Sequence, residues 1–380
     1  MTLLTIGVLG TSGKADERRV PIHPGQLDSI EAEVRDRLIF EEGYGRRFGV
    51  EDAQLAARSG GLLPRDELFR TCDVVLLPKP GQEDFEAMKE GGVLWGWAHC
   101  VQQEALTQVA IDRRLTLITW EAMHEWTPDG DWQAHTFNKN NELAGYAGVL
   151  DALRLAVSDG KYGPAREVAV IAFGSVSRGA VHALQAMGFD SIRVFTDRDS
   201  PEVRDPVAGV EYRHFAEDAD GGLVAVDTDG ELHPFIEELA SADIIVNGVL
   251  QDTEHPLMFV GESQVGRLKP GCWIIDISCD EGMGFPFARP TSFADPMFEV
   301  GGVHYYAVDH TPSYLWNSAS WEISKSLLPY LPVVMRGPDS WDSDQTIRRA
   351  IEIRDGRILN SMILSFQARE AEFPHPVVSD

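Results

Sequence analysis

The segment REVAVIAFGSVSRGAVHALQAMGFDSIRVFTD, residues 166–197, limits what this chain can fold into more than any other stretch. It reads as a strand from Val168 to Phe173, a turn Gly174-Ser175-Val176-Ser177-Arg178-Gly179, a helix, and a second strand ending at Asp197. A strand, a crossover helix and a strand imply a parallel sheet that needs helices on its faces. Gly174 permits the tight turn, and Gly179 predicts close packing of the helix on the strand. The start of the helix offers unpaired N–H groups and a partial positive charge to a pyrophosphate. Asp197 ends the second strand, where a carboxylate accepts hydrogen bonds from an adenosine ribose. Val176 replaces the middle glycine of the G-x-G-x-x-G pattern, and Arg198 beside Asp197 suits a 2′-phosphate. The segment predicts a dinucleotide site and leaves NAD(H) and NADP(H) both open.

The rest of the chain repeats the α/β theme. Up to about residue 135, the β-like runs LLTIGVLG, RLIFEEG, DVVLLPK, GVLWGWAH and LTLITWE alternate with helical patterns near 26–36, 66–71, 82–89 and 102–112. That alternation predicts a largely parallel sheet. WTPDGDWQAHTFNKNN is polar and turn-rich and reads as a boundary loop. NELAGYAGVLDALRLAVSDG reads as a long bridging helix stopped at Asp159-Gly160. The runs EVAVIAF, SIRVFTD, DIIVNGV, CWIIDIS and HYYAV follow, apolar enough for a sheet covered on both faces. After His310 helical patterns return near 316–329, 343–352 and 360–371. The expectation is two Rossmann-like, doubly wound domains with an active-site cleft between them. Residues 1–138 with 312–380 form a discontinuous substrate and catalytic domain, and 139–311 the dinucleotide-binding domain.

Composition excludes several partners. A formal net charge of −27 speaks against nucleic acid and anionic membrane, which need basic surface. No apolar run reaches the ~18 residues that cross a bilayer, and MTLLTIGVLGTSGK lacks the marks of a signal peptide. Cys72, Cys100, Cys272 and Cys279 show no paired spacing, and Cys72 and Cys272 adjoin strand-like runs, so reduced thiols in the cytoplasm are expected. Dispersed histidines and the absence of HExxH predict no metal. The chain has only seven lysines, so a cation in an apolar context stands out.

Cations and bases of this kind lie at the ends of three apolar runs. GKADERRVPIHP places Arg18 and Arg19 after the first run, LPKP places Lys79 after another, and GWAH places His99 after a third. In parallel α/β sheets the carboxyl ends of strands line the ligand crevice. An arginine clamps a carboxylate, a desolvated lysine moves toward neutrality, and a histidine already titrates there. Each also has an ordinary reading: a surface ion pair for Arg19, a solvated loop lysine for Lys79, a satisfied histidine for His99. Asp280 follows the run CWIIDIS, and Asp309 and His310 follow the last strand. Asp280 reads equally as a turn residue, and His310 as a contact at a hinge.

ERRVPIHP, LPKP, GWAH, NELAGYAGVLDAL, GSVSRG, ISCDEGMGF, RPTSF and VDHTPS stand in the order of the alanine dehydrogenase/transhydrogenase family, which the whole chain resembles. Within it, GWAH, the AGYAGVLDAL helix, the GxVSxG turn and VDHTPS look most like the carboxyethylornithine synthases. The DH-x-PS motif is similar to lysine-forming saccharopine dehydrogenases. The resemblance implies that Arg19 holds an oxo-acid carboxylate, Lys79 binds substrate and helps move protons, and His99 is the proton donor and acceptor. It also implies that Gly174–Gly179 hold the pyrophosphate and Asp280 lies near the nicotinamide. His310 joins the substrate residues, and a homo-oligomer is expected. The implied reaction is NAD(P)H-dependent reductive condensation of pyruvate with the side-chain amine of ornithine or lysine. Alanine dehydrogenase and saccharopine dehydrogenase chemistry are alternatives, as is a non-catalytic dinucleotide sensor, against which Lys79 and His99 count together.

Overall fold

In the computed structural model the described residues are 3–197, 203, 205–219, 221–226, 230–252 and 255–378. Arg198 lies outside them. The chain forms two units, Met1–Asn138 with Trp316–Asp380, and Lys139–Leu315.

The first unit is built on β1 (Ile6–Val8), β2 (Leu38–Glu41), β3 (Leu62–Leu63), β4 (Val74–Leu76), β5 (Val93–Gly96) and β6 (Thr116–Thr119), with β18 (Ile351–Arg354) and β19 (Arg357–Ile358) from the end of the chain. The sheet order is β19-β18-β6-β5-β4-β1-β2-β3. Its first six strands pair in parallel, in the doubly wound order that reverses direction between β1 and β4. Every residue of β1, β4, β5 and β6 is buried. This explains why these runs are continuously apolar rather than alternating. Successive residues still face opposite layers: Val74, Leu76 and Trp95 join one core with Ile323 and Leu327. Val75, Leu77 and Leu94 join the other with Phe69, Leu106 and Ile111.

Three segments differ from the sequence reading. The expected boundary loop contains a hairpin, β7 (His124–Trp126) and β8 (Trp132–His135). Its turn is closed by Thr127 N–H donating to the Asp131 carbonyl, with Gly130 at φ +91°. The Asp129-Gly130 pair is the hairpin signal that the polar composition concealed. The helical pattern near 343–352 ends at Ala350, and IEIRDGRI becomes β18 and β19, joined through Asp355 (φ +51°) and Gly356 (φ +78°). The helical pattern near 26–36 is a 3₁₀ turn at Pro24–Ser29 followed by a single turn at Ala32–Arg35.

The second unit contains β9 (Val168–Ile171), β10 (Ile192–Thr196), β11 (Glu211–Glu217), β12 (Leu223–Val226), β13 (Leu232–Pro234), β14 (Ile244–Asn247), β15 (Trp273–Asp276), β16 (Met297–Val300) and β17 (Val303–Tyr306). Their order is β13-β12-β11-β10-β9-β14-β15-β17-β16. Strands β11-β10-β9-β14-β15-β17 repeat the parallel doubly wound order, reversing between β9 and β14. The antiparallel edges β12, β13 and β16 were not expected; they are short and partly exposed, without the apolar runs of the central strands. The fold is thus α/β with two Rossmann-like sheets. Among the described residues no helix is long and apolar enough to cross a membrane, and no cluster of His, Cys, Asp or Glu is arranged to hold a metal.

Candidate active site and dinucleotide turn

Lys79 follows β4 and His99 follows β5, on neighbouring strands whose ladder continues past their ends. Leu77 N–H donates to the Trp95 carbonyl at 3.2 Å, and Trp97 N–H to the Pro78 carbonyl at 3.0 Å. Gly96 makes this possible: a Cβ there would lie 1.9 Å from the Leu77 carbonyl oxygen. The two loops therefore emerge side by side, and Lys79 Nζ lies 2.7 Å from His99 Nε2, within hydrogen-bonding distance. Trp97 joins Arg19 to them. The Arg19 guanidinium lies 4.8 Å from the Trp97 ring centroid and Lys79 Nζ 5.8 Å from it. Three residues that spacing could not connect thus meet at the carboxyl ends of the first sheet.

Arg19 is engaged within the fold. Its side chain is 3% exposed, and Glu17 accepts from its Nε at 2.8 Å and from its Nη2 at 2.5 Å. The fork expected to meet a substrate carboxylate holds an internal one along that edge.

Glu121, two residues beyond β6, was not singled out from the sequence. Its Oε1 accepts the His99 backbone N–H at 2.5 Å and lies 3.9 Å from His99 Nδ1. That bond holds His99 in the left-handed region, φ +50°. Burial, and then the charge of Glu352, pushes the Glu121 carboxyl up to about 8. Its Oε2 is buried with no hydrogen-bond partner among the described residues. Glu352, on β18, is itself raised by burial, and Asn360 donates to its Oε1 at 2.8 Å. The available signal was position: Glu121 follows a central strand just as Lys79 and His99 do.

In the second unit β9 leads to Gly174, which caps the helix Ser175–Ala186. No side chain caps this helix, so its leading N–H groups face outward. A Cβ at Gly174 would meet nothing within 4 Å. The bare helix start and the open space before Gly174 fit a dinucleotide pyrophosphate. Gly179 packs differently from the expectation. A Cβ there would lie 1.8 Å from the Glu142 carbonyl oxygen, and one at Gly145 would lie 1.8 Å from the Val176 carbonyl oxygen. Its close neighbour is the long helix Asn138–Leu155 rather than the strand, because the two helices cross at backbone contact. Ser177 is buried and donates to the Ile171 carbonyl at 3.2 Å. Arg178 lies over Phe173, 4.5 Å from its centroid, and donates to the Asp205 carbonyl at 2.5 Å. Asp197 is exposed directly after β10, with Thr196 Oγ1 3.4 Å from its Oδ1.

Asp280 is partly buried after β15, and burial raises its carboxyl. The loop that carries it is tied by Asp276. This buried carboxylate accepts from Tyr305 at 2.6 Å, Asn247 at 3.0 Å, and the Ser278 and Cys279 N–H groups at 3.0 and 3.1 Å. Burial pushes Asp276 up to about 6. His310 belongs to this second unit, whereas Arg19, Lys79 and His99 belong to the first. Its side chain is 6% exposed, its backbone has φ +47°, and its ring lies 5.0 Å from that of Phe293.

Two doubly wound sheets, one carrying a lysine–histidine pair and the other a bare helix N-terminus, define a nicotinamide-dinucleotide-dependent oxidoreductase. The family description "Alanine dehydrogenase/PNT, N-terminal domain" matches residues 12–134, and "Alanine dehydrogenase/PNT, C-terminal domain" matches 163–361, more than half of the chain. The chain belongs to this family. It is 27% identical over 327 residues to an N(5)-(carboxyethyl)ornithine synthase of Clostridium botulinum, covering 82% of this chain and 89% of that one. It is 24% identical over 333 residues to an alanine dehydrogenase of Methanococcus maripaludis, covering 83% and 84%. A solved L-alanine dehydrogenase superposes with a TM-score of 0.76 at 19% identity, covering 96% of this chain and 99% of that one. The transhydrogenase of Sinorhizobium meliloti gives 0.70 at 17%, covering 94% and 99%.

Proposed function

We propose that this oxidoreductase condenses a 2-oxo acid, pyruvate, with the side-chain amine of a basic amino acid such as ornithine or lysine and reduces the product. The contact of Lys79 Nζ with His99 Nε2 at 2.7 Å carries the reading, and the likeness to N(5)-(carboxyethyl)ornithine synthases supports it. The amine nitrogen bonds to the carbonyl carbon, water leaves to give an imine, and a hydride and a proton complete a secondary amine. The bound nicotinamide supplies the hydride. Lys79 meets the oxo-acid oxygen, and Arg19 orients the carboxylate. Departure of water needs a proton at the leaving oxygen, and the amine must shed one on attack. The Lys79–His99 hydrogen bond holds a transferable proton at that place, and Glu121 fixes the backbone of His99. In the second unit Gly174–Gly179 would receive the pyrophosphate, and Asp280 would serve the nicotinamide end of the coenzyme. The carboxylate of Asp197 accepts from ribose hydroxyls and repels a 2′-phosphate, which supports NAD(H).

The test is oxidation of NADH and of NADPH with pyruvate and, in turn, ornithine, lysine, ammonia or no amine. Turnover with ornithine or lysine well above that with ammonia is expected. Activity with ammonia alone would make the chain an alanine dehydrogenase, a reading favoured by the alanine dehydrogenases among its relatives. No oxidation with any amine would leave a dinucleotide-binding protein without this chemistry.

A further inference from the structure

A hollow of about 540 Å³ opens in the first unit beside the loop that follows β1. This is within the range of small-molecule sites. Its lining includes Ser12, Lys14, Asp16, Arg18, Arg47 and Trp316. The loop is built to hold its shape. Glu41 accepts from Gly10 N–H at 2.8 Å and Thr11 N–H at 3.0 Å. Arg47 donates to the Arg18 carbonyl at 3.0 Å, and Asp16 sits at φ +59°. Phe48 packs edge-on against Trp316 at 5.1 Å, which fixes the aromatic wall.

The charge here is opposite to that of the molecule. The chain as a whole carries −27, yet Lys14, Arg18 and Arg47 line this one hollow. Of the two acids in the same lining, Glu17 is already held by buried Arg19, which leaves Asp16, 3.9 Å from the Arg18 guanidinium. Cations and a carboxylate side by side in one lining suit a ligand bearing a carboxylate with an ammonium beside it. The hollow also adjoins the chemistry: Ser12, on its edge, donates to the Lys79 carbonyl at 2.5 Å.

We propose that this hollow binds the α-carbon end of the amine donor, an α-amino acid with a primary amine at the tip of its side chain. Lys14, Arg18 and Arg47 take the α-carboxylate and Asp16 the α-ammonium. The Trp316 face lies along the methylenes, and the side-chain amine reaches toward Lys79 and His99. The inference rests on the condensation reading and makes the hollow what separates an amino acid from ammonia as nitrogen source.

Lys14→Gln/Arg18→Gln, two exposed positions, tests it against wild type with saturating pyruvate and coenzyme. Ornithine and 1,4-diaminobutane, which lacks the carboxylate, are compared as amines, and coenzyme affinity is followed by nicotinamide fluorescence. Wild type should prefer ornithine. The variant should raise its KM at least about tenfold, which is about 1.4 kcal/mol, lose the preference over the diamine, and keep its coenzyme affinity and pyruvate KM. An unchanged ornithine KM in the variant overturns the assignment of the hollow while the condensation reading stands. Wild type that uses ammonia and neither organic amine overturns both.

Discussion

Replacing Glu121 by glutamine separates the charge of that carboxyl from its hydrogen bonding. The amide oxygen can still accept the His99 N–H, now bound at 2.5 Å, while the titration disappears. In the folded chain burial and Glu352 push the carboxyl up to about 8, against an ordinary 4.5. Between these values the folded state keeps a proton that the unfolded state has released. This group's contribution is therefore level below 4.5, erodes as pH rises through the window, and is level again above 8. At about 1.4 kcal/mol per pH unit the ceiling on the loss is about 3 kcal/mol by pH 7, and solvent screening at a side chain 25% exposed lowers it. Glutamine suffers no such loss. It places an amide N–H₂ where Oε2 now lies without a partner, but that cost is the same at every pH and shifts the curve without tilting it. Urea unfolding at half-unit steps from pH 5 to 9 should show the stability of Glu121→Gln, relative to wild type, climbing by about 1–3 kcal/mol up to pH 8 and then flattening. Parallel curves for the two proteins across pH 5–8 would refute a raised Glu121.

Other substitutions read other parts of the structure. His99→Ala should lower kcat by about 10²–10⁴ with coenzyme affinity little changed, and full activity in that variant would remove His99 from the chemistry. Gly96→Ala drives a Cβ to within 1.9 Å of the Leu77 carbonyl; strand-end displacement should abolish turnover while the second unit keeps its coenzyme binding, checked by nicotinamide fluorescence. Gly174→Ala meets open space and Gly179→Ala meets a carbonyl at 1.8 Å. The first should keep its melting temperature and bind coenzyme more weakly, whereas the second should lose several degrees or fail to fold. Asp197→Ala should narrow any preference for NADH over NADPH, and an unchanged ratio of the two kcat/KM values would place the ribose elsewhere.

The central strands of both sheets were legible because burial on two faces demands unbroken apolar runs, as in VVLLP and VAVIAF. The antiparallel additions were not. Nor was the parallel strand β11: EYRHFAE has a single buried residue, Phe215, and is otherwise only partly buried or exposed, so it lacks the apolar continuity that marks a strand. IEIRDGRI was hidden by a helical pattern running into it from Gln345. At the site, single residues at strand ends were legible and their connections were not. Sequence spacing places Lys79 and His99 twenty residues apart; only the parallel pairing of β4 with β5, and the missing side chain at Gly96, puts their nitrogens in contact. Glu17 was illegible as the partner of Arg19, because an i, i+2 contact is made by a loop whose path no local pattern specifies. The partner of Gly179 was misplaced for a related reason: a glycine announces a close approach without saying which element approaches.

The same winding serves two chemistries because the two sheets finish their strands differently. At a reversal of strand order the loops on either side part, leaving a crevice at the carboxyl ends. In the first unit that place is flanked by the loop after β1 and by Lys79 after β4, and Ser12 ties the two together. Side chains with protons to give occupy it. In the second unit the same place is flanked by Gly174 after β9 and Gly248 after β14. A Cβ at Gly248 would strike Ser177 Oγ at 2.3 Å, so the chain is kept bare there. A pyrophosphate is recognised by backbone N–H groups, which side chains would obstruct. Proton transfer needs groups that titrate, which backbone cannot supply. The contrast between Lys79 after β4 and Gly248 after β14, at equivalent points of two like sheets, follows from that division.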